Sequence, residues 1–231
     1  MFANITENDR CRNEYKYIIS TNQMFFLQSI IKKLLPIDKH INGTEYKVKS
    51  LYFDNYDNKC FYDNENGVEP RQKFRIRVYN DKYDKIKLEI KRKEHSQIIK
   101  YWTSINIEQA QELINGKNII GADNDEILKY VQTKIKTELY HPVSVVEYNR
   151  TAYESKDIIR ITFDKNITSS TYVNAFFDAK MPRRPILPLG MNIMEVKFRQ
   201  IKPKYIFDAL QFDNLNLTKF SKYYFSRCYS I

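Results

Sequence analysis

Apolar and polar residues alternate with a period of two over much of the chain. In 73–79 the odd positions carry Lys73, Arg75, Arg77 and Tyr79, and the even ones Phe74, Ile76 and Val78. Successive side chains of a strand point to opposite faces, so this segment predicts a strand with one cationic and one apolar face. Residues 85–93 repeat the pattern, with Lys87, Glu89, Lys91 and Lys93 opposite Leu88 and Ile90. Farther on, Arg160, Thr162 and Asp164 oppose Ile161 and Phe163, while Glu195, Lys197 and Arg199 oppose Met194, Val196 and Phe198. Glu14 and Lys16 share a face near the start, as do Tyr148 and Arg150 in the middle. The strands so predicted are 12–20, 46–54, 72–80, 85–93, 98–104, 143–153, 158–164 and 191–199. The third and fourth form a hairpin across the polar stretch DKYD. The Asn- and Asp-rich residues 55–67 read as a turn region.

Helical spacing replaces alternation in fewer places. Met24, Leu27, Ile31, Leu34 and Leu35 predict a helix within 21–36, capped by Thr21 or Asn22 and stopped by Pro36. Residues 107–115, ending at Gly116, and 124–138, with Ile127, Val131 and Ile135 on one face, predict two more. A Pro-rich basic loop spans 180–190 and includes Arg183 and Arg184, and the C-terminus reads as helical. Without repeats or a break in composition, residues 1–231 are expected to form one α+β domain, an antiparallel sheet dressed with helices.

Composition narrows the class. With 231 residues, 42% hydrophobic and 14% aromatic, the chain can bury a core, which excludes a disordered protein. No apolar run reaches the roughly 18–20 residues of a membrane span, and the N-terminus lacks an apolar signal core. A cytoplasmic location is therefore expected. Cys11, Cys60 and Cys228 lie far apart, as do His40, His95 and His141, which speaks against a disulfide framework or a His-based zinc site.

Charge changes the picture more. A net charge of +10 and a pI near 9.3 favour a polyanion, whether nucleic acid, anionic lipid or a phosphorylated compound. Solvent-facing strand residues ordinarily mix signs, whereas here Lys and Arg dominate strand after strand. Like charges opposed across strands destabilise a sheet, so an anionic ligand is expected to offset them. On that reading Arg75→Ala or Arg150→Ala would abolish turnover and spare the fold, because an unpaired cationic face gains by losing a charge. Glu14, Glu89, Asp164 and Glu195 sit on the same faces as the bases, the combination a divalent-metal phosphate site needs. Periodicity leaves open whether the charged face is an outer groove or the lining of a barrel whose apolar faces are covered by helices. No GxxxxGK[ST] stretch occurs, so a nucleotide would not be held by a P-loop.

Eight segments together carry a family resemblance: RNEYKYIIS, SLYFDN, RQKFRIRVY, KLEIKRK, EYNRTAY, RITFD, MEVKF and FSKYY. In that order they resemble the VTC (polyphosphate polymerase) domain of the CYTH-like triphosphate tunnel metalloenzymes, over nearly the whole chain. The resemblance implies an antiparallel barrel with a charged interior. It implies ATP and polyphosphate as ligands, manganese or magnesium as cofactor, no nucleic acid, and a separate membrane partner for any transport of product. By motif position Lys16, Arg75, Arg77, Lys91, Arg150, Arg160, Lys197 and Lys222 look like the catalytic phosphate-binding set. Lys100 looks like a further substrate contact, and Tyr148 and Ser221 like hydrogen-bond donors to phosphate. Lys93, on the strand face of Lys91, joins the substrate contacts. Glu195 looks like the metal ligand, assisted by Glu89 and Glu14. The superfamily opens with Glu-x-Glu-x-Lys, whereas this chain has Arg12-x-Glu14-x-Lys16, which favours a polymerase over a simple triphosphatase. That hydrolase, and a non-catalytic module binding polyphosphate or RNA, are the competing readings.

Overall fold

Long antiparallel strands dominate the computed structural model, which describes residues 13–38, 43–95, 97–119, 121–155, 158–199, 202–210 and 215–228. The strands are β1 (Asn13–Ser20), β2 (Tyr46–Asp54), β3 (Arg71–Tyr79), β4 (Lys82–Glu94), β5 (Gln97–Ile105), β6 (His141–Ser155), β7 (Ile159–Ser170), β8 (Arg184–Pro185) and β9 (Met191–Phe198). They form one sheet in the order β1-β9-β7-β6-β2-β3-β4-β5, with β8 paired to β7. The helices are α1 (Thr21–Leu34), α2 (Lys59–Glu65), α3 (Ile107–Ile114), α4 (Glu126–Glu138), α5 (Lys204–Leu210) and α6 (Lys222–Cys228).

The apolar half of each alternating strand faces the helices. Phe74, Ile76, Val78, Leu88 and Ile90 are buried in one cluster with Leu113, Leu128 and Val131 of α3 and α4. Ile19, Ile161, Met194 and Val196 are buried in a second, with Leu27 and Ile31 of α1 and Ile206 of α5. Burying two such clusters under helices leaves the opposite, charged face of the sheet turned inward. The question that periodicity left open is thereby decided.

Curling of the sheet is plain from one distance. β1 and β4 lie six places apart in the strand order, so a flat sheet would hold them roughly 29 Å apart at about 4.8 Å per strand. Instead Glu14 of β1 lies 3.8 Å from Lys91 of β4. The curled barrel keeps a seam, since among the described residues β1 and β5 do not pair with each other. The C-terminal segment stands in it. Thr218 N donates to Lys16 O at 2.9 Å, and Lys73 of β3 reaches Ser221 Oγ at 3.4 Å.

Several local expectations are corrected. The N-cap of α1 is Ser20, whose Oγ accepts from Gln23 N at 3.2 Å while Gln23 Oε1 accepts from Ser20 N at 2.8 Å. The cap therefore belongs to the last strand residue, ahead of Thr21 and Asn22. The β3–β4 turn is shorter than DKYD, only Asn80 and Asp81, both with the positive φ that two-residue hairpin turns favour. Residues 59–65, read as turn, form α2, because the buried Asp54 carboxylate accepts from Cys60 N at 2.8 Å and Phe61 N at 3.2 Å. Arg12, Cys11 and His40 lie outside the described residues.

Candidate active site

Inside the barrel is a cavity of about 140 Å³ whose wall carries eight cationic side chains and two carboxylates. β1 supplies Glu14 and Lys16, β9 Glu195 and Lys197, and β6 Tyr148 and Arg150. β3 supplies Lys73, Arg75 and Arg77, β4 Lys91, and the C-terminal segment Ser221 and Lys222. A second cavity of about 290 Å³ shares Glu14, Lys16, Lys73, Lys91 and Ser221 with the first, and adds Arg71, Lys93 and Lys219. The two are therefore contiguous.

Antiparallel register opposes unlike charges at several of these positions. Lys16 pairs with Glu195 and Glu14 with Lys197 across β1 and β9. Arg150 is set against Asp164 and Arg75 against Glu89. Ion pairs follow from that placement. Arg150 makes a two-pronged contact with Asp164, at 2.6 and 2.8 Å, and Lys222 meets the same carboxylate at 2.6 Å. Arg75 lies 2.6 Å from Glu89, which Arg77 approaches at 3.8 Å. Lys16 bonds Glu14 at 2.7 Å, and Lys197 bonds Glu195 at 2.8 Å. The expectation of unpaired arginines is thus corrected: Arg75, Arg77 and Arg150 all have carboxylate neighbours.

Like charges still face each other on β3, β4 and β5, where Lys73 opposes Lys91, Lys91 opposes Lys100 and Arg77 opposes Lys87. The carboxylates feel this surplus. Burial and the nearby Glu195 push Glu14 upward, but Lys91, Lys197 and Lys16 hold it down at about 2. Burial likewise opposes ionisation of Glu195, and Lys197, Lys16, Arg150 and Lys222 hold it well below the usual carboxylate range. Burial drives Lys91 the other way, down to about 8.

Eleven of the fifteen candidate side chains named from the sequence meet in this cavity: Lys16, Arg75, Arg77, Lys91, Arg150, Lys197, Lys222, Tyr148, Ser221, Glu195 and Glu14. Four do not. Arg160 shares the inward strand face but is held by Asp38 and Glu154 and does not line either cavity. Lys93 lines the second cavity and bonds Glu69 at 2.6 Å. Lys100 is bound to Glu89 at 2.6 Å and lines neither cavity. Glu89 itself is 1% exposed, is enclosed by Arg75, Arg77 and Lys100, and lines neither cavity. Tyr148 offers mainly its ring, which lies beneath Arg150 and under Lys222 Nζ at 4.7 Å from the centroid. Lys73, Tyr52 and Tyr223 also line the cavity and were not among the candidates. For Lys73 the signal was present, since it shares the face of Arg75 and Arg77.

The donor set bears on the metal. Among the described residues no group of three or more His, Cys, Asp and Glu side chains could hold an ion. Glu195 and Glu14 are the carboxylates on the wall. One or two carboxylates completed by phosphate oxygens and water is the usual protein share of a Mg²⁺ site. The residues therefore fit an ion that arrives with a phosphate substrate.

Residues 11–230 match the family model described as VTC domain. No curated protein matches the chain. Solved structures of similar fold include a putative adenylyl cyclase from Hippeastrum described as having a dominant triphosphatase activity. It is 13% identical with a TM-score of 0.57, over 95% of each chain. A putative adenylate cyclase from Bacillus halodurans is 13% identical with a TM-score of 0.50, over 87% of this chain and 86% of that one. A chain of the Schizosaccharomyces pombe Mediator head module reaches the same TM-score at 8% identity, over 89% and 96%. At such identities the likeness is one of fold, the triphosphate tunnel fold.

Proposed function

The chain belongs to the VTC domain family of triphosphate tunnel proteins, and from that premise we propose that it is an ATP-dependent polyphosphate polymerase. The observation that supports this most is the inward wall of eight cations and two carboxylates, an excess that a chain of phosphates would neutralise.

In the proposed reaction a terminal oxygen of the acceptor chain forms a bond to the γ-phosphorus of ATP. The bond to the β–γ bridging oxygen breaks, and its electron pair leaves on ADP. Phosphoryl transfer of this kind is mostly positioning and charge neutralisation. Arg75, Arg77 and Arg150 would grip phosphate oxygens, while Lys16, Lys91, Lys197 and Lys222 supply point charges. The acceptor is already anionic, so no general base is required, and among the described residues no histidine lines the cavity. Glu195, with Glu14 beside it, would hold Mg²⁺ or Mn²⁺ together with the substrate. Such an ion neutralises charge on the transferring and leaving phosphates. Among the described residues no helix is long and apolar enough to cross a membrane.

Two other readings have observations behind them. The Hippeastrum protein of similar fold is described as a triphosphatase, and water in place of the acceptor would make this chain one. The Mediator head module chain carries the fold in an assembly, which keeps a non-catalytic binding module in view. Incubation with ATP and Mn²⁺ or Mg²⁺, with the products sized on a gel, separates them. Long phosphate chains plus ADP are expected. Orthophosphate alone would mean hydrolysis, and intact ATP with tight polyphosphate binding a binding module.

A further inference from the structure

Seven of the eight cavity cations are matched by a carboxylate within 4 Å: Lys16, Arg75, Arg77, Lys91, Arg150, Lys197 and Lys222. Lys73 is the exception among the described residues. Its ammonium donates to Asn64 Oδ1 at 2.5 Å and Ser221 Oγ at 3.4 Å, and lies 5.0 Å from the centre of the Tyr223 ring. Each of these partners is neutral. On the neighbouring strand it faces Lys91. A half-buried cation with neutral partners and a like charge opposite is costly unless a ligand supplies the missing anion.

Position says which part of a ligand that would be. Arg71, Lys73, Arg75 and Arg77 occupy one face of β3 at every second residue, a row of about 20 Å at roughly 3.4 Å per residue. Arg75 and Arg77 line the first cavity, Arg71 the second, and Lys73 both. A triphosphate, with two P–O–P links, cannot span that row, whereas a longer chain can. Resting on the polyphosphate reading above, we propose that Lys73 is a specificity residue that binds a non-reacting phosphate where the two cavities join and so favours long polyphosphate over triphosphate.

The surroundings of Lys73 add a second signature. Burial is the largest influence on it, followed by Lys91 of β4; Cys60 of α2 acts the other way, Arg71 of β3 and Lys16 of β1 lower it further, and the balance brings Lys73 down to about 7. Tyr223 of α6 contributes its ring. In the empty site much of the Lys73 population is therefore a neutral amine near pH 7. A phosphate placed beside it favours the ammonium, so binding near pH 7 draws a proton from solvent onto Nζ of the neutral fraction, about half a proton per site.

The test is titration calorimetry on the full chain with tripolyphosphate and with long-chain polyphosphate, at pH 7 in two buffers of different ionisation enthalpy. Lys73→Gln, which can keep the bonds to Asn64 and Ser221, is expected to weaken long-chain binding about tenfold, the scale of one charge-assisted hydrogen bond. Its affinity for tripolyphosphate, which Arg75, Arg77 and Arg150 can hold in the first cavity, should fall clearly less than that for the long chain. Lys73→Arg should restore long-chain affinity and lack the proton uptake of the parent, since arginine stays charged. It also decides the matter if Lys73→Gln does not fold. Equal weakening of both ligands, no weakening, or uptake that persists in Lys73→Arg would overturn the role of Lys73 and leave the polymerase reading standing. A parent protein that binds no polyphosphate would overturn both.

Discussion

Arg75, Arg77 and Arg150 each arrive at the cavity with Nε already engaged, by Glu89, Ser50 and Asp164 respectively. Arg150 also gives Nη2 to Asp164, and Arg75 gives Nη1 to Tyr52 and Nη2 to Glu89; each guanidinium keeps the rest of its five N–H donors for phosphate and has lost most of its freedom before the ligand arrives. Asp164 is fully buried and serves both Arg150 and Lys222. Burial disfavours its charge, but the two cations hold it below the ordinary aspartate range. Asp164→Asn should therefore leave two cations facing each other. We expect a stability loss of about 3 kcal/mol in urea denaturation, the scale of breaking a buried pair, and a kcat lower by about a hundredfold. Glu195→Gln is expected to abolish metal-dependent turnover while polyphosphate binding holds or tightens, a contrast that filter binding beside the ATP assay would read. Glu14, held at about 2 against a usual 4.5, contributes stability that is present above pH 4.5 and lost as pH falls from there toward 2. Glu14→Gln should flatten the acid limb of a thermal-melting profile over that window. Much of this was legible in the alternation of β3, β4 and β9. The position of Arg160 was not, because its strand has the same period yet its end of the barrel brings Asp38 and Glu154 against it.

The C-terminal segment repays attention at the level of elements. Ser221 and Lys222 sit at the start of α6, and Tyr223 fixes that turn by donating its hydroxyl to the buried Asp54 carboxylate. Asp54 also accepts from the first amides of α2, so one side chain of β2 ties down both helices. Tyr223→Phe should cost about 2 kcal/mol in thermal or urea unfolding, the worth of a hydrogen bond to a charged group. It should also raise KM, because Ser221 and Lys222 lose their anchor. Recovery of the full rate at saturating substrate, with kcat unchanged, would distinguish loose binding from damaged chemistry. The motif SLYFDN contained Asp54, but nothing in its spacing pointed to a partner 169 residues away. α2 was hidden for a different reason: KCFYDNE has little helical pattern, and the carboxylate of Asp54 at the end of the preceding strand starts the helix. Helices with a strong apolar stripe, α1 and α4, were legible without such help.

At the scale of the molecule, the net charge of +10 includes a cavity wall of eight cations and two carboxylates. Binding of a polyanion should weaken steeply with added salt, since the interaction is screened over about 10 Å at 0.1 M. Affinity measured from 50 to 300 mM NaCl, each concentration on the order of the physiological range in which that screening applies, should fall throughout. A flat profile would place the binding energy elsewhere. The strand faces were evident from sequence, but their inward turn was not, because a period of two is the same in a groove and in a tunnel. What decides it is the pair of apolar clusters that the helices bury on the outside.

The surplus of cations on the inner wall has a practical corollary. Those residues are kept for what they hold, and the empty protein bears the repulsion among them. A search for heat-resistant variants run without phosphate would reward the replacement of Lys73 and would harvest proteins that outlast the parent but hold long polyphosphate less tightly. Run with polyphosphate present, the same search would reward retention of the charge. The order of merit at this position would invert with the contents of the tube.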